Sequence, residues 1–329
     1  MELNALITPT NTIAALLALT PFLAAAFFPQ WAAGRARSLP FWAQLASPSV
    51  LCLPYLLVAI GGGVFRWGWL ALYALLPVAV ASLLWQARRT DLPQRAKITP
   101  LTPTCNNRSL GTPIRWGSRI TKDSSSQRGT WLDFVVLAVL GLAVDLRWFE
   151  GAWPAHLAIF NKVLLLDAGI YGFIALRQLE GTGFDLRLRL RDAAIGLREL
   201  ALYTPIALAL GLGLGFLHMH ARWPGWAPIA GAWVFTFFFI AVPEELFFRG
   251  WLQNLLERRV GRTGALLVTA ILFGLAHFNK RAAQFNWRYV LLSAVAGVFY
   301  GRAWRSERRV GASAITHASV DAIWSLWLR

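Results

Sequence analysis

Apolar runs recur along this chain at intervals of roughly 25–35 residues, several long enough to cross a hydrocarbon layer of ~30 Å at 1.5 Å per residue. No other feature restricts the fold as strongly. Of the 329 residues, 57% are hydrophobic and only 15% charged, whereas a soluble domain carries about a quarter charged residues. An outer-membrane barrel would show short segments of alternating polarity, and none is present. The expected fold class is all-α, a polytopic transmembrane helical bundle.

Ten spans are expected, at 12–30, 48–65, 68–86, 131–146, 156–177, 194–217, 228–256, 264–279, 288–304 and 311–328. Lys and Arg concentrate in the loops after the odd-numbered spans, with nine of them in residues 87–130. That asymmetry places those loops in the cytoplasm and both termini outside. The opening "MELNALITPT" lacks the basic region of a cleavable signal peptide, so the first run is expected to be a retained helix. The formal charge of +16 would suit a nucleic-acid partner, but the basic residues fall between apolar runs, as topology determinants do. No nucleic acid is expected.

Residues 87–130, rich in Arg, Thr, Ser and Pro, read as a loosely ordered cytoplasmic linker. It separates a three-span region, 1–86, from a seven-span domain, 131–329. The stretch "FDLRLRLRD" at 184–192 alternates like a strand or a surface-lying segment that meets anionic lipid. The pairs Gly211/Gly215 and Gly297/Gly301 have the spacing of close helix packing. Several of the 17 tryptophans fall near span ends, as an interfacial belt requires. The two cysteines, Cys52 and Cys105, offer neither a disulfide framework nor a metal spacing.

Ionisable residues inside spans are costly and mark function by default. The last four spans hold Glu244, Glu245, Arg249, His277, His317 and Asp321. Lys162 and Asp167 in the fifth span read more simply as a structural pair. Glu245 and Arg249 are four apart on one helix face, acid first, the favoured order for an ion pair. Glu244 points about 100° away and has no such cation on its own helix. His317 and Asp321 share a face, as do Phe273 and His277.

Spans seven and eight should form a hairpin turning at Gly261 or Arg262. Glu244 and His277 then both lie about 22–27 Å from that turn, at matching height. His317 and Asp321 lie about 10–18 Å into the last span, so the four groups can meet. A carboxylate and an imidazole sharing a water make a hydrolytic pair. A second histidine can donate to the oxyanion of a tetrahedral intermediate. The same four residues, Glu244, His277, His317 and Asp321, equally suit zinc with water in the open position.

The strings "EELFFR" (244–249), "FGLAH" (273–277) and "HASVD" (317–321) resemble, in order, the three motifs of the CPBP family. These are the CAAX-processing and bacteriocin-processing intramembrane proteases, the Abi group, with motifs EExxxR, FxxxH and HxxxN. The resemblance covers about residues 190–329. It implies a glutamate-dependent endopeptidase acting on a membrane-associated peptide or protein; the expected location is a bacterial cytoplasmic membrane, and the loop charges and depths are expected to leave the site open toward the cytoplasm. It assigns water activation to Glu244 and His277, the rest of the first motif to Glu245 and Arg249, and oxyanion stabilisation to His317 and Asp321. Asp321 stands where the family pattern has Asn. An ionised Asp repels an oxyanion, so it must be protonated, orient His317, or bind a metal. Either no cofactor or a divalent metal such as zinc fits. The non-enzymatic alternative is a membrane scaffold, immunity or binding protein that uses the polar cluster for assembly.

Overall fold

The computed structural model describes residues 8–98, 127–149, 151–154, 157, 159–220, 223–280 and 284–328, with the side chains of 92–98 excepted. Among the described residues there is no strand. The helices are α1 (Pro9–Phe27), α2 (Pro29–Ser38), α3 (Phe41–Gly61, with a 3₁₀ stretch inside it), α4 (Trp67–Ile98), α5 (Trp131–Asp145), α6 (Ile159–Leu176), α7 (Leu190–Gly213), α8 (226–260), α9 (262–275), α10 (Trp287–Glu307) and α11 (Val310–Trp327). Each expected span has a helix at its place. By length and composition, six stretches of the described residues can cross a membrane, with Trp226–Leu275 taken as one. The chain is a multi-pass membrane protein with a helical-bundle fold.

Two local features depart from the sequence reading. The short α2, with Arg35 and Arg37 in its last turn, occupies what reads as a loop. Cations there suit the negative end of the helix dipole. The helix beginning at Trp67 runs on to Ile98, into the stretch assigned to the linker. The rest of that linker, residues 99–126 with Cys105, lies outside the described residues.

α8 and α9 are separated at Gly261, whose φ of 75° and ψ of 171° suit glycine and strain other residues. The chain doubles back there. Phe248 and Phe273, on opposite arms, meet edge to face at 5.1 Å. α10 packs closely against this hairpin. A Cβ on Gly297 would lie 3.1 Å from Ala270, and one on Gly301 2.4 Å from Leu266. That pair packs helices as its spacing suggests. Gly211 and Gly215 do not: the first abuts Leu217 of its own turn, and the second lies past the helix end at φ 60°.

One end of the bundle is fastened by arginines. Arg177 holds Asp133 at 2.8 Å and Asp91 at 3.0 Å, tying α4, α5 and α6 together. Arg309 holds Asp192 at 2.8 Å, and Arg258 and Arg308 bond Asn254. The segment 183–189 runs extended across this end but joins no sheet. Phe184 and Leu186 are buried and Arg187 is exposed, but Leu188 and Leu190 are exposed too, so the alternation that the sequence shows holds only over its first residues. Leu186 N–H donates to the carbonyl of Ala26 at 2.8 Å, and Val310 N–H to that of Gly183 at 2.9 Å. At the opposite end lie the turns near 62–66, 146–154, 214–220 and 276–286, where His220 N–H bonds the Trp327 carbonyl at 2.8 Å. Trp67, Trp131, Trp226 and Trp287 each open a helix and are exposed, the placement that an interfacial anchor takes.

Candidate active site

The first motif lies where α8 is least regular. Pro243 has no N–H to bond the carbonyl four residues back, and its ring crowds that carbonyl. Around it the helix widens into π-helical turns, Phe237–Ala241 before and Leu246–Gln253 after. Such turns re-aim side chains and occur often at functional sites. Glu244 and Glu245 sit between the two.

Glu245 and Arg249 are both wholly buried and paired at 3.1 Å, as their spacing predicts. The pair does more than neutralise itself. Glu245 Oε1 also faces His317 Nδ1 of α11 at 2.9 Å, and Arg249 donates a second bond to the carbonyl of Gly297 in α10 at 3.0 Å. The guanidinium lies 4.6 Å from the Phe273 ring of α9, a cation–π contact. One ion pair thereby sets the relative positions of α8, α9, α10 and α11.

His317 is almost wholly enclosed. Its ring stacks on Tyr300 at 4.6 Å and 15°, and Phe273 stands edge-on to it at 5.6 Å. A ring nitrogen facing a carboxylate carries its hydrogen, so Nδ1 donates to Glu245. Nε2 then faces Asp321 Oδ2 at 3.6 Å and Glu244 Oε2 at 3.9 Å. His277 follows the end of α9. Its Nδ1 lies 2.8 Å from the carbonyl of Phe273, which can only accept, so the neutral ring keeps Nε2 as an acceptor.

Glu244, His277 and Asp321 line one cavity of about 360 Å³. The expected convergence of α8, α9 and α11 is present, through α10 as well. Glu244 Oε2 and Glu245 Oε2 are buried atoms with no hydrogen-bond partner among the described residues. A buried carboxylate oxygen without a donor is expensive. At Glu244, which lines the cavity, that cost marks a place for a polar guest.

The expected pairing of Lys162 with Asp167 is absent. The two are five residues apart, so they lie on different helix faces. Lys162 lines the Glu244 cavity, whereas neither Asp167 oxygen has a partner among the described residues. Lys280, Tyr289 and Tyr300 are further members of the site that the sequence reading passed over. Tyr300 had a signal available, since it lies three residues after Gly297 on the face already assigned to close packing. Lys280 and Tyr289 had none, because a turn and a new helix carry them there.

Around Glu244 the cavity walls come from residues 143–149, 159–165 and 276–280, near the turns opposite the arginine-rich end. α8, over 226–260, is about 50 Å long against a layer of ~30 Å, so distance from the Gly261 turn is not depth below the membrane surface.

Zinc would need at least three donors converging on one point. Among the described residues no three His, Cys, Asp or Glu side chains are so placed, so no step below is routed through a metal.

Residues 225–323 match a known protein family, the Rce1-like type II CAAX prenyl endopeptidases. No curated protein and no solved structure matches the chain. The matched region spans α8 to most of α11 and includes all seven residues of the three motifs. Over residues 225–323 the chain is thus similar to the Rce1-like type II CAAX prenyl endopeptidases, a likeness consistent with the intramembrane proteases of the CPBP family.

Proposed function

We propose that the chain is an intramembrane endopeptidase in which Glu244 and His277 hold the attacking water and His317 receives the developing oxyanion. The observation that carries this reading is the shared cavity of Glu244, His277 and Asp321, with Glu244 Oε2 unpartnered and 3.9 Å from His317 Nε2.

A water has two O–H bonds, and the site offers two acceptors, the Glu244 carboxylate and His277 Nε2. Donating to both leaves a lone pair directed away from them, toward a scissile carbonyl carbon. As the C–O bond forms, Glu244 takes the proton. The carbonyl oxygen becomes negative and accepts from His317 Nε2–H, whose ring is held through Nδ1 by Glu245. Collapse breaks the C–N bond, and the leaving amine takes up the proton from Glu244.

Asp321 competes for the same Nε2–H and, when ionised, repels the oxyanion. Its separation of 3.6 Å and its partial exposure suit a group that orients the imidazole and gives way when substrate arrives. Glu245 and Arg249 position rather than react, because both are sealed from the cavity.

The test is cleavage of a membrane-anchored peptide by purified protein in vesicles. Wild type cleaves, and Glu244→Gln loses activity while assembling normally. Loss through failed assembly would favour the scaffold reading, and full activity would remove Glu244 as the base. Chelator treatment of an active sample, with elemental analysis, tests the metal-free route; activity is expected to survive.

A further inference from the structure

We propose that the arginine-rich end of the α9–α10 seam binds the phosphate of an anionic phospholipid, held by Arg262, Arg305 and Arg308. This surface lies at the opposite end of the bundle from the Glu244 cavity and does not depend on the endopeptidase reading.

The seam sets the register. Gly297 abuts Ala270 and Gly301 abuts Leu266, so four residues along α10 match four residues back along α9. One further step places Arg305 opposite Arg262, cation against cation. Both Arg262 and Arg308 lie close enough to repel the charge on Arg305. The three guanidinia share one carboxylate. Glu257 takes Arg308 at 2.6 Å through Oε2 and Arg305 at 3.4 Å through Oε1, which leaves no oxygen for Arg262. The Arg262 side chain is exposed and makes no ion pair or hydrogen bond among the described residues. Beside Arg308, Arg258 donates at 3.2 Å to the Asn254 oxygen that Arg308 reaches at 3.1 Å. That fourth cation has Glu180 nearby, so the uncompensated charge lies at the seam itself.

A guanidinium matches a phosphate with two parallel N–H···O bonds, and basic pockets between membrane helices hold anionic headgroups. The ligand is a lipid rather than a free phosphate because an apolar track leads inward from the cations. α9 exposes Leu267 and Ile271, and α10 leaves Val295 and Val298 half-buried, surfaces on which acyl chains can lie. A phosphate bridging Arg262 and Arg305 replaces their repulsion by attraction. It thereby ties α9 to α10, the helices that carry Phe273 and Tyr300 against His317.

The experiment uses the purified full chain in a neutral detergent and counts retained lipid by native mass spectrometry. Phosphatidylglycerol and phosphatidylcholine with the same chains are offered at equal concentration. Wild type should hold phosphatidylglycerol more tightly by at least about fivefold. Arg262→Met should lower that affinity about fivefold, the factor that ~1 kcal/mol per arginine supplies. Arg262→Met/Arg305→Met should lose the preference altogether, whereas Arg35→Met, which removes the same charge from α2, should keep it. Without lipid, Arg262→Met should melt as wild type does, since it has no partner to lose among the described residues. The single variant therefore decides the matter even where the double variant fails to fold. Glycerol 3-phosphate, a headgroup without chains, should not be retained. Equal retention of the two lipids by wild type, equal losses in Arg262→Met and Arg35→Met, or retention of glycerol 3-phosphate as tight as that of the lipid overturns the proposal.

Discussion

His317 Nδ1 lies 2.9 Å from Glu245 Oε1, and that oxygen also receives Arg249 at 3.1 Å. The imidazole expected to meet the reaction is thus anchored to the acid that does not face the cavity. The two adjacent glutamates divide between holding and reacting because they leave the helix about 100° apart.

Breaking the holding pair should unfold the site. Arg249→Met leaves the Glu245 charge buried without its cation and removes the bond to Gly297. Removing one partner of a buried pair costs about 3–5 kcal/mol. Unfolding in detergent should show that loss, and cleavage should vanish with it. An unchanged melting temperature would contradict the anchoring role.

Glu244 should behave in the opposite way. Its Oε2 has no hydrogen-bond partner to lose among the described residues, so Glu244→Gln should melt within about 1 kcal/mol of wild type, as substitutions without a disrupted contact do. Its rate should nevertheless fall by 10²-fold or more, on the order expected for a missing general base.

Tyr300 presents a ring face to His317 at 4.6 Å. Tyr300→Phe keeps that face and should retain most activity. Tyr300→Leu removes a stacking contact of about 0.5–1.5 kcal/mol and should lower kcat/KM by roughly threefold to tenfold. Equal rates for both variants would show that the stack does not position the ring.

The sidedness of the cavity can be read directly. In a background lacking Cys52 and Cys105, Lys280→Cys and Arg308→Cys should label from opposite faces of sealed vesicles with an impermeant thiol reagent. With the arginine-rich end in the cytoplasm, Arg308→Cys labels from that side and Lys280→Cys from the other. Labelling of both from one side would refute the placement.

At the arginine-rich end, the hydrogen bond from Arg187 holds the Asp185 carboxyl down at about 2, with Arg309 nearby adding to the effect. A lowered folded-state value means stability that is complete above the unfolded value of about 3.9 and lost as pH falls toward 2. Wild type should therefore lose melting temperature between pH 4 and 2 more steeply than Asp185→Asn does. Parallel curves would show that the contact contributes nothing to folding.

Much of this was legible along the chain, because it follows from spacing on single helices. Apolar runs set the helices, a four-residue interval paired Glu245 with Arg249, and Gly261 marked a turn that brought Glu244 level with His277. Spacing also misled. Gly211 and Gly215 look like a packing motif but flank a helix end, and Lys162 and Asp167 look paired although five residues turn them to different faces.

By itself, the sequence determined a helical membrane protein with one hairpin carrying acid and imidazole at equal height, since helical rise and hydropathy are local properties. Only the tertiary structure decided which oxygen holds His317, that Tyr300 stacks on it, and that Lys162 and Lys280 border the Glu244 cavity. Those depend on how helices far apart in the chain lean together, and no periodicity within one segment encodes the rotation of its neighbours.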